Sequence, residues 1–188
     1  MNELTALGYD DDVANSHTDP NDAPDPDWTP ARVLTRGRDS YLIHDGHQPI
    51  PAELAGRLAY GVESALDLPA VGDWVRVQVA DPSLAIIHQV MPRRSLLQRK
   101  TSGKKIGRQL IAANIDTALI VQSLDRDFNL RRLERYLVMV HQGDIQPLVL
   151  FSKRDLLSPD ELAQRLTAAR EALPKVTFDS FSNTTAAE

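Results

Sequence analysis

The residues of this chain best placed to do chemistry are Ser152, Lys153 and Asp155, which follow the apolar run Leu148-Val149-Leu150-Phe151. A carboxylate two residues after a lysine can accept two hydrogen bonds, from the N1–H and the 2-amino group of guanine. Adenine lacks that donor pair. The lysine stem can cover the base plane while its ammonium stays near solvent. Lys-x-Asp alone is a common sequence, so its position carries the weight. It stands at a strand end before a capped helix, where open α/β sheets bind ligands. Further on, the polar stretch from Ser180 to Thr185, with Ser180 and Ser182, follows a third expected strand. A backbone N–H there would meet the guanine O6, and the stretch reads equally as a plain polar loop. The expected chemistry is base selection. No phosphate loop precedes Lys153. Thr101-Ser102-Gly103-Lys104-Lys105 resembles the end of one, but Gln98 stands where the first glycine belongs and Lys105 replaces the Mg-binding hydroxyl.

A second group of residues is cationic. Between Pro92 and Ile115 lie Arg93, Arg94, Arg99, Lys100, Lys104, Lys105 and Arg108, with no acid among them. The formal net charge of −5 hides this segment, because residues 1–31 hold eight acids and no Lys or Arg. Such segregation fits an anionic partner such as RNA, and equally a solvated basic linker. Arg93, Arg94, Arg99, Lys100, Lys104 and Lys105 are the candidate RNA contacts. Cysteine is absent, which excludes disulfides and thiolate-bound zinc within this chain. His44 and His47 flank the turn signal Asp45-Gly46 and are read as a surface turn, and His17, His88 and His141 stand alone. Trp74 and Tyr41 could stack on bases, but an aromatic residue in an alternating strand is expected in a barrel wall. No apolar run approaches the roughly 18 residues of a membrane span, and no secretory signal opens the chain, so a cytoplasmic protein without membrane contact is expected.

Two kinds of element must position these groups. Residues 1–30 read as an acidic disordered tail, rich in Asp and Pro. Residues 31–98 read as five short strands: Ala31 to Arg36, Ser40 to His44, a strand or irregular piece from Ala52 to Tyr60, Val71 to Val79 with Val75, Val77 and Val79 on one face, and Leu84 to Val90. Five strands at that spacing suggest an OB-fold barrel. Residues 99–109 read as a basic linker. From 110 to 188 the rhythm becomes β-α-β-α. Ile115 to Gln122 is a buried-strand pattern, and Leu130, Leu133, Leu137 and Val140 recur at helical spacing. Pro147 opens the next strand. Ser158-Pro159-Asp160-Glu161 has a helix start's N-cap, N1 proline and N3 glutamate. Val176 to Phe178 begins a third strand. About three strands are few for an α/β domain, so a truncated piece of a longer protein is expected.

Four segments give these elements a family likeness: Ala70-Val71-Gly72-Asp73-Trp74-Val75, Met91-Pro92-Arg93-Arg94-Ser95, Ala112-Ala113-Asn114-Ile115-Asp116, and the long ordered run Asp127-Phe128-Asn129-Leu130-Arg131-Arg132-Leu133-Glu134-Arg135-Tyr136-Leu137. From about Arg32 to its end the chain resembles the circularly permuted GTPase family that acts on the small ribosomal subunit (ribosome small subunit-dependent GTPase A). The resemblance implies an all-β OB-fold barrel followed by a partial, circularly permuted P-loop GTPase-like α/β domain. It implies GTP or GDP with Mg²⁺, and hydrolysis by in-line attack of water during late maturation of that subunit. It also implies partnership with the small subunit and its rRNA, a monomer, and a phosphate loop, switches and a zinc-binding domain beyond Glu188. Lys153 and Asp155 fall on the family's Asn-Lys-x-Asp motif, with Ser152 in place of the Asn. The lost amide bond should cost on the order of 1 kcal/mol of affinity, leaving selectivity to Asp155. The alternative is a non-enzymatic OB-fold RNA-binding protein, and a third reading is an adaptor whose sheet binds another protein.

Overall fold

In the computed structural model of the chain, residues 3–16, 25–38, 40–81, 83–100, 107–182 and 184 are described. They form two compact units, Met1–Ile115 and Asp116–Glu188.

The first unit contains α1 (Glu3–Ala6), α2 (Asp11–Ala14), β1 (Thr29–Arg36), β2 (Tyr41–His44), β3 (Pro49–Leu54), α3 (Gly56–Tyr60), β4 (Trp74–Asp81), β5 (Leu84–Val90), β6 (Leu96–Lys100) and β7 (Arg108–Ala113). The first five strands close into a barrel in the order β1-β2-β3-β5-β4. Only β3 and β5 run parallel. Each strand sends two residues inward at a spacing of two: Ala31 and Val33, Tyr41 and Ile43, Ile50 and Ala52, Val75 and Val77, Ala85 and Ile87. That period is the pleat of a strand with one buried face, and it makes the barrel legible in the sequence.

Four expectations are corrected here. The strand-or-irregular piece from Ala52 to Tyr60 is the end of β3 and then α3. Its strand begins earlier because Pro49 and Pro51 lie where β3 pairs with β2 alone; pairing with β5 starts at Ala52. Val79 is 39% exposed and leaves the interior beside a register shift between Val79 and Asp81. In the acidic tail, residues 3–16 form α1 and α2, which bury Leu4 and Val13 against Trp74 and Met91. Asp10 caps α2 by accepting the Val13 amide at 2.9 Å. Two turns docked on a barrel wall need no local periodicity, so composition alone does not show them. Residues 17–24 of that tail lie outside the described residues.

The stretch expected as a basic linker is in part a hairpin. Its ends are the paired strands β6 and β7, in register from Leu96↔Ala113 to Lys100↔Arg108; residues 101–106 lie outside the described residues. This hairpin belongs to the first unit, which therefore continues to Ile115. Val71 bridges Ala112. The approach is so close at Gly72 (φ +86°) that a Cβ would lie 2.2 Å from the Ala113 carbonyl oxygen.

The second unit contains β8 (Thr117–Ser123), α4 (Leu130–His141), β9 (Gln146–Ser152), α5 (Pro159–Ala172) and β10 (Phe178–Ser180). Its sheet is parallel, in the order β10-β9-β8. α4 packs over β8 and β9, burying Leu133, Leu137 and Val140. Asn129 caps it, accepting the Arg132 amide at 3.0 Å. α5 opens on the expected capping box: Ser158 Oγ accepts the Glu161 amide, and Glu161 accepts the Ser158 amide at 3.0 Å. Leu119 and Val121, on the other face of β8, are 60% and 59% exposed.

Candidate functional site

Parallel pairing aligns the C-terminal ends of β8, β9 and β10. Ser123 stands opposite Ser152, and Phe151 opposite Ser180. Backbone bonds carry the alignment past the strands: Leu124 donates to the Ser152 carbonyl at 2.9 Å, Phe181 to Phe151 at 2.8 Å, and Arg154 to Phe181 at 3.2 Å. The loop after β9 is therefore tied on both sides before any side chain acts. Ser152 is buried beneath it. Main-chain bonding thus supplies a tie between β8 and β9 whatever the residue at 152.

Lys153 has φ 60° and ψ 35°, the left-handed region that non-glycine residues seldom occupy. This turns the chain sharply into a 3₁₀ turn, Arg154–Leu156. The side chain of Lys153 reaches sideways, with Nζ 2.9 Å from Asp125 Oδ2. Asp155, one position into the 3₁₀ turn, accepts the Thr184 hydroxyl at 3.1 Å. Thr184 in turn donates its amide to Ser182 Oγ at 3.2 Å. Arg154 Nη1 donates to the Ser180 carbonyl at 3.3 Å. The expected guanine-reading residues Lys153 and Asp155 and the expected Ser180–Ser182 segment thus converge on one strand end. Ser180 itself is the last residue of β10, and its amide is engaged by the Asp179 carboxylate at 2.7 Å.

One charged member of this cluster was missed by sequence reasoning. Asp125 follows β8 and is pinned at Oδ1 by the Ser123 hydroxyl at 2.8 Å and the Asp127 amide at 3.1 Å. The Lys153 hydrogen bond, the Asp127 amide and Ser123 hold its carboxyl far below the usual carboxylate range. The same bond raises the Lys153 ammonium. Arg165 of α5 donates to the Asp125 carbonyl at 2.6 Å and lies over the Phe128 ring. Asp125 and Lys153 are 28 residues apart. Nothing local links them; only the side-by-side strand ends do.

The cationic candidates fare unequally. Arg93 is turned inward: Nε and Nη2 grip both oxygens of fully buried Asp73 at 2.7 and 2.6 Å, and Nη2 also donates to the Leu68 carbonyl at 2.9 Å. Its side chain is 17% exposed. The expectation that Arg93 contacts RNA is corrected: its guanidinium braces the loop before β4. Arg94 pairs with Asp10 at 2.7 Å, with both side chains about half exposed. Arg99 donates twice to Gln109 Oε1. Lys100 stands opposite Arg108 across the hairpin, both exposed. Lys104 and Lys105 lie outside the described residues. Trp74 is buried against Tyr9 and Arg32, and Tyr41 is in the barrel core, so both are wall residues. The His44–His47 segment is a turn closed by Asp45, which accepts the His47 and Gln48 amides. Among the described residues no three His, Asp or Glu side chains group to hold a metal, and no helix is long and apolar enough to cross a membrane.

The chain is similar to known proteins. The model of the RsgA GTPase family matches residues 90–188. The chain is 37% identical over 162 residues to the small ribosomal subunit biogenesis GTPase RsgA of Opitutus terrae, covering 81% of this chain and 43% of that protein. It is 41% identical over 149 residues to the protein of the same name from Syntrophotalea carbinolica, covering 74% and 40%. The chain thus spans about two-fifths of the length of these curated relatives. Two solved structures share the fold. YloQ, described as a circularly permuted GTPase, superposes with a TM-score of 0.60 at 20% identity, covering 83% of this chain and 52% of its own. YjeQ from Thermotoga maritima gives 0.63 at 17% identity, covering 82% and 52%.

Proposed function

Because the chain belongs to the RsgA GTPase family, we propose that it is the barrel and base-recognition portion of a GTPase that works on the small ribosomal subunit during late maturation. Hydrolysis of GTP belongs to the full-length protein. The 188-residue chain alone supplies guanine selection and part of the rRNA contact, and is expected to be inactive. The observation that carries this reading is the convergence of Lys153, Asp155, Ser182 and Thr184 at the C-terminal end of the parallel sheet.

Asp155 selects guanine by accepting from N1–H and the 2-amino group. One of its oxygens receives the Thr184 hydroxyl. Lys153 lies beneath the base, and Ser152 closes the floor. Ser180 and Ser182 frame the side of the base that carries O6. The exposed apolar face of β8, Leu119 and Val121, is covered in the full-length protein by the remainder of the α/β domain. Mg²⁺ and Zn²⁺ are implied by the family resemblance, but the described residues offer no grouped ligands for either. Their ligands belong to the rest of the protein.

Arg94, Arg99 and Lys100 on the first unit, with Lys104 and Lys105, meet rRNA mainly through phosphates. The facing Lys100 and Arg108 favour this, since like charges opposite one another in a hairpin are destabilising until an anion lies between them. The protein is proposed to be a cytoplasmic monomer. The decisive experiment is Asp155→Asn in the full-length protein. Preference should pass from GTP towards XTP, because xanthine offers an acceptor where guanine offers the amino donor. An Asp155→Asn protein that still prefers GTP would remove the base-reading assignment.

A further inference from the structure

We propose that Asp125 is a positioning residue for the base-reading lysine. It holds the Lys153 ammonium against the end of β8, so that the lysine stem crosses from one strand end to the next as a preformed platform for the guanine ring. This rests on the assignment of Lys153 and Asp155 as the guanine reader and deepens it.

Three observations carry the inference. The carboxylate is fixed before the lysine arrives, because Ser123 Oγ and the Asp127 amide hold Oδ1 at 2.8 and 3.1 Å while Oδ2 meets Nζ at 2.9 Å. Its backbone is fixed as well, since Arg165 of α5 donates to the Asp125 carbonyl at 2.6 Å. The lysine backbone is committed by its left-handed conformation (φ 60°). A base can lie flat only on a stem that is extended and immobile. A lysine left free in solvent would have to be ordered by each incoming nucleotide, and that lost rotamer freedom would weaken binding. With both ends anchored, the ordering is done during folding.

Asp125→Asn is nearly isosteric and keeps an oxygen for Ser123 and the Asp127 amide, but it removes the charge that grips Nζ. Both partners are partly exposed, so the full-length Asp125→Asn protein should bind GDP only about three- to fivefold more weakly. Fluorescent GDP titration measures this. In a Lys153→Met background, which keeps the stem and loses the ammonium, Asp125→Asn should change GDP affinity by less than about 1.5-fold. Asp125→Glu should restore part of the loss. Should Asp125→Asn fail to fold, Ser123→Ala removes one of the two bonds at Oδ1, leaving the Asp127 amide, with the charge intact. It should weaken GDP about twofold, again only when Lys153 is present. Additive losses in the double variant, or an unchanged affinity in Asp125→Asn, would overturn the positioning role. Asp155→Asn, run alongside, separates the two ideas. If it leaves GTP preferred, the guanine-reader assignment fails and this inference with it. If it moves preference to XTP while Asp125→Asn does nothing, only the positioning role fails.

Discussion

Substituting Asp73 with Ala should remove a large part of the barrel's stability while leaving the sheet of the second unit untouched. Asp73 is fully buried and receives three bonds: two from Arg93, at 2.7 and 2.6 Å, and the Ala70 amide at 2.8 Å. Arg93 is largely withdrawn from water, so removing the acid strands the Ala70 amide and leaves the guanidinium charge uncompensated, with only the Leu66 and Leu68 carbonyls as acceptors. Breaking a buried pair from one side costs about 3–5 kcal/mol. Domains of this size hold only about 5–15 kcal/mol in all. With a urea slope of about 2 kcal/mol/M, the midpoint should fall by roughly 2 M. Asp73→Asn keeps an acceptor and should lose about half as much. The assay is already selective, because the chain's two tryptophans, Trp28 and Trp74, both lie in the first unit. Their fluorescence reports barrel unfolding alone. An Asp73→Ala midpoint within about 0.5 M of wild type would refute the argument, since it would mean that Arg93 finds water or another anion at no cost.

Two further predictions rest on the same geometry. Lys100→Gln should lower the slope of log affinity for rRNA against log salt by roughly 1, whereas Arg93→Gln should lower barrel stability and leave the slope unchanged; equal slopes for the two variants in filter binding at several salt concentrations would count against the assignment. For the Asp125–Lys153 pair the sign follows from the two shifts. The Asp125 carboxyl is depressed in the folded chain, so its stabilisation is complete above the free carboxylate range and is lost as pH falls below about 4. The Lys153 ammonium is raised, so its contribution is lost only above about pH 10.4. The difference in urea midpoint between wild type and Asp125→Asn, followed by circular dichroism, should therefore be flat from about pH 5 to 9 and shrink in acid. A difference that vanishes near neutrality would contradict it.

Local chemistry determined much of this protein on its own. The inward pair Val75/Val77 announces itself by a period of two, because a strand exposes one face; Ile50 does not, since prolines on either side of it mask the strand that carries it. The Ser158–Glu161 capping box and the Leu133–Leu137–Val140 stripe do the same for helices, because their partners lie within one or two turns. The strand end that carries Lys153 and Asp155 was legible for the same reason: the apolar run before it and the capped helix after it are local signals. The resemblance to the family likewise rests on contiguous runs such as Asp127 to Leu137. Tertiary structure decided what depends on residues far apart in the chain. It withdrew Arg93 from the surface, because Asp73, 20 residues earlier, occupies its guanidinium. It turned a tail read as disordered into two helical turns over Trp74, and a linker into a hairpin. It brought Asp125 to Lys153 through the parallel register of β8 and β9. Charge counts and periodicity see each cation alone. Which anion it meets is set by how strands align, and that alignment is a property of the folded sheet.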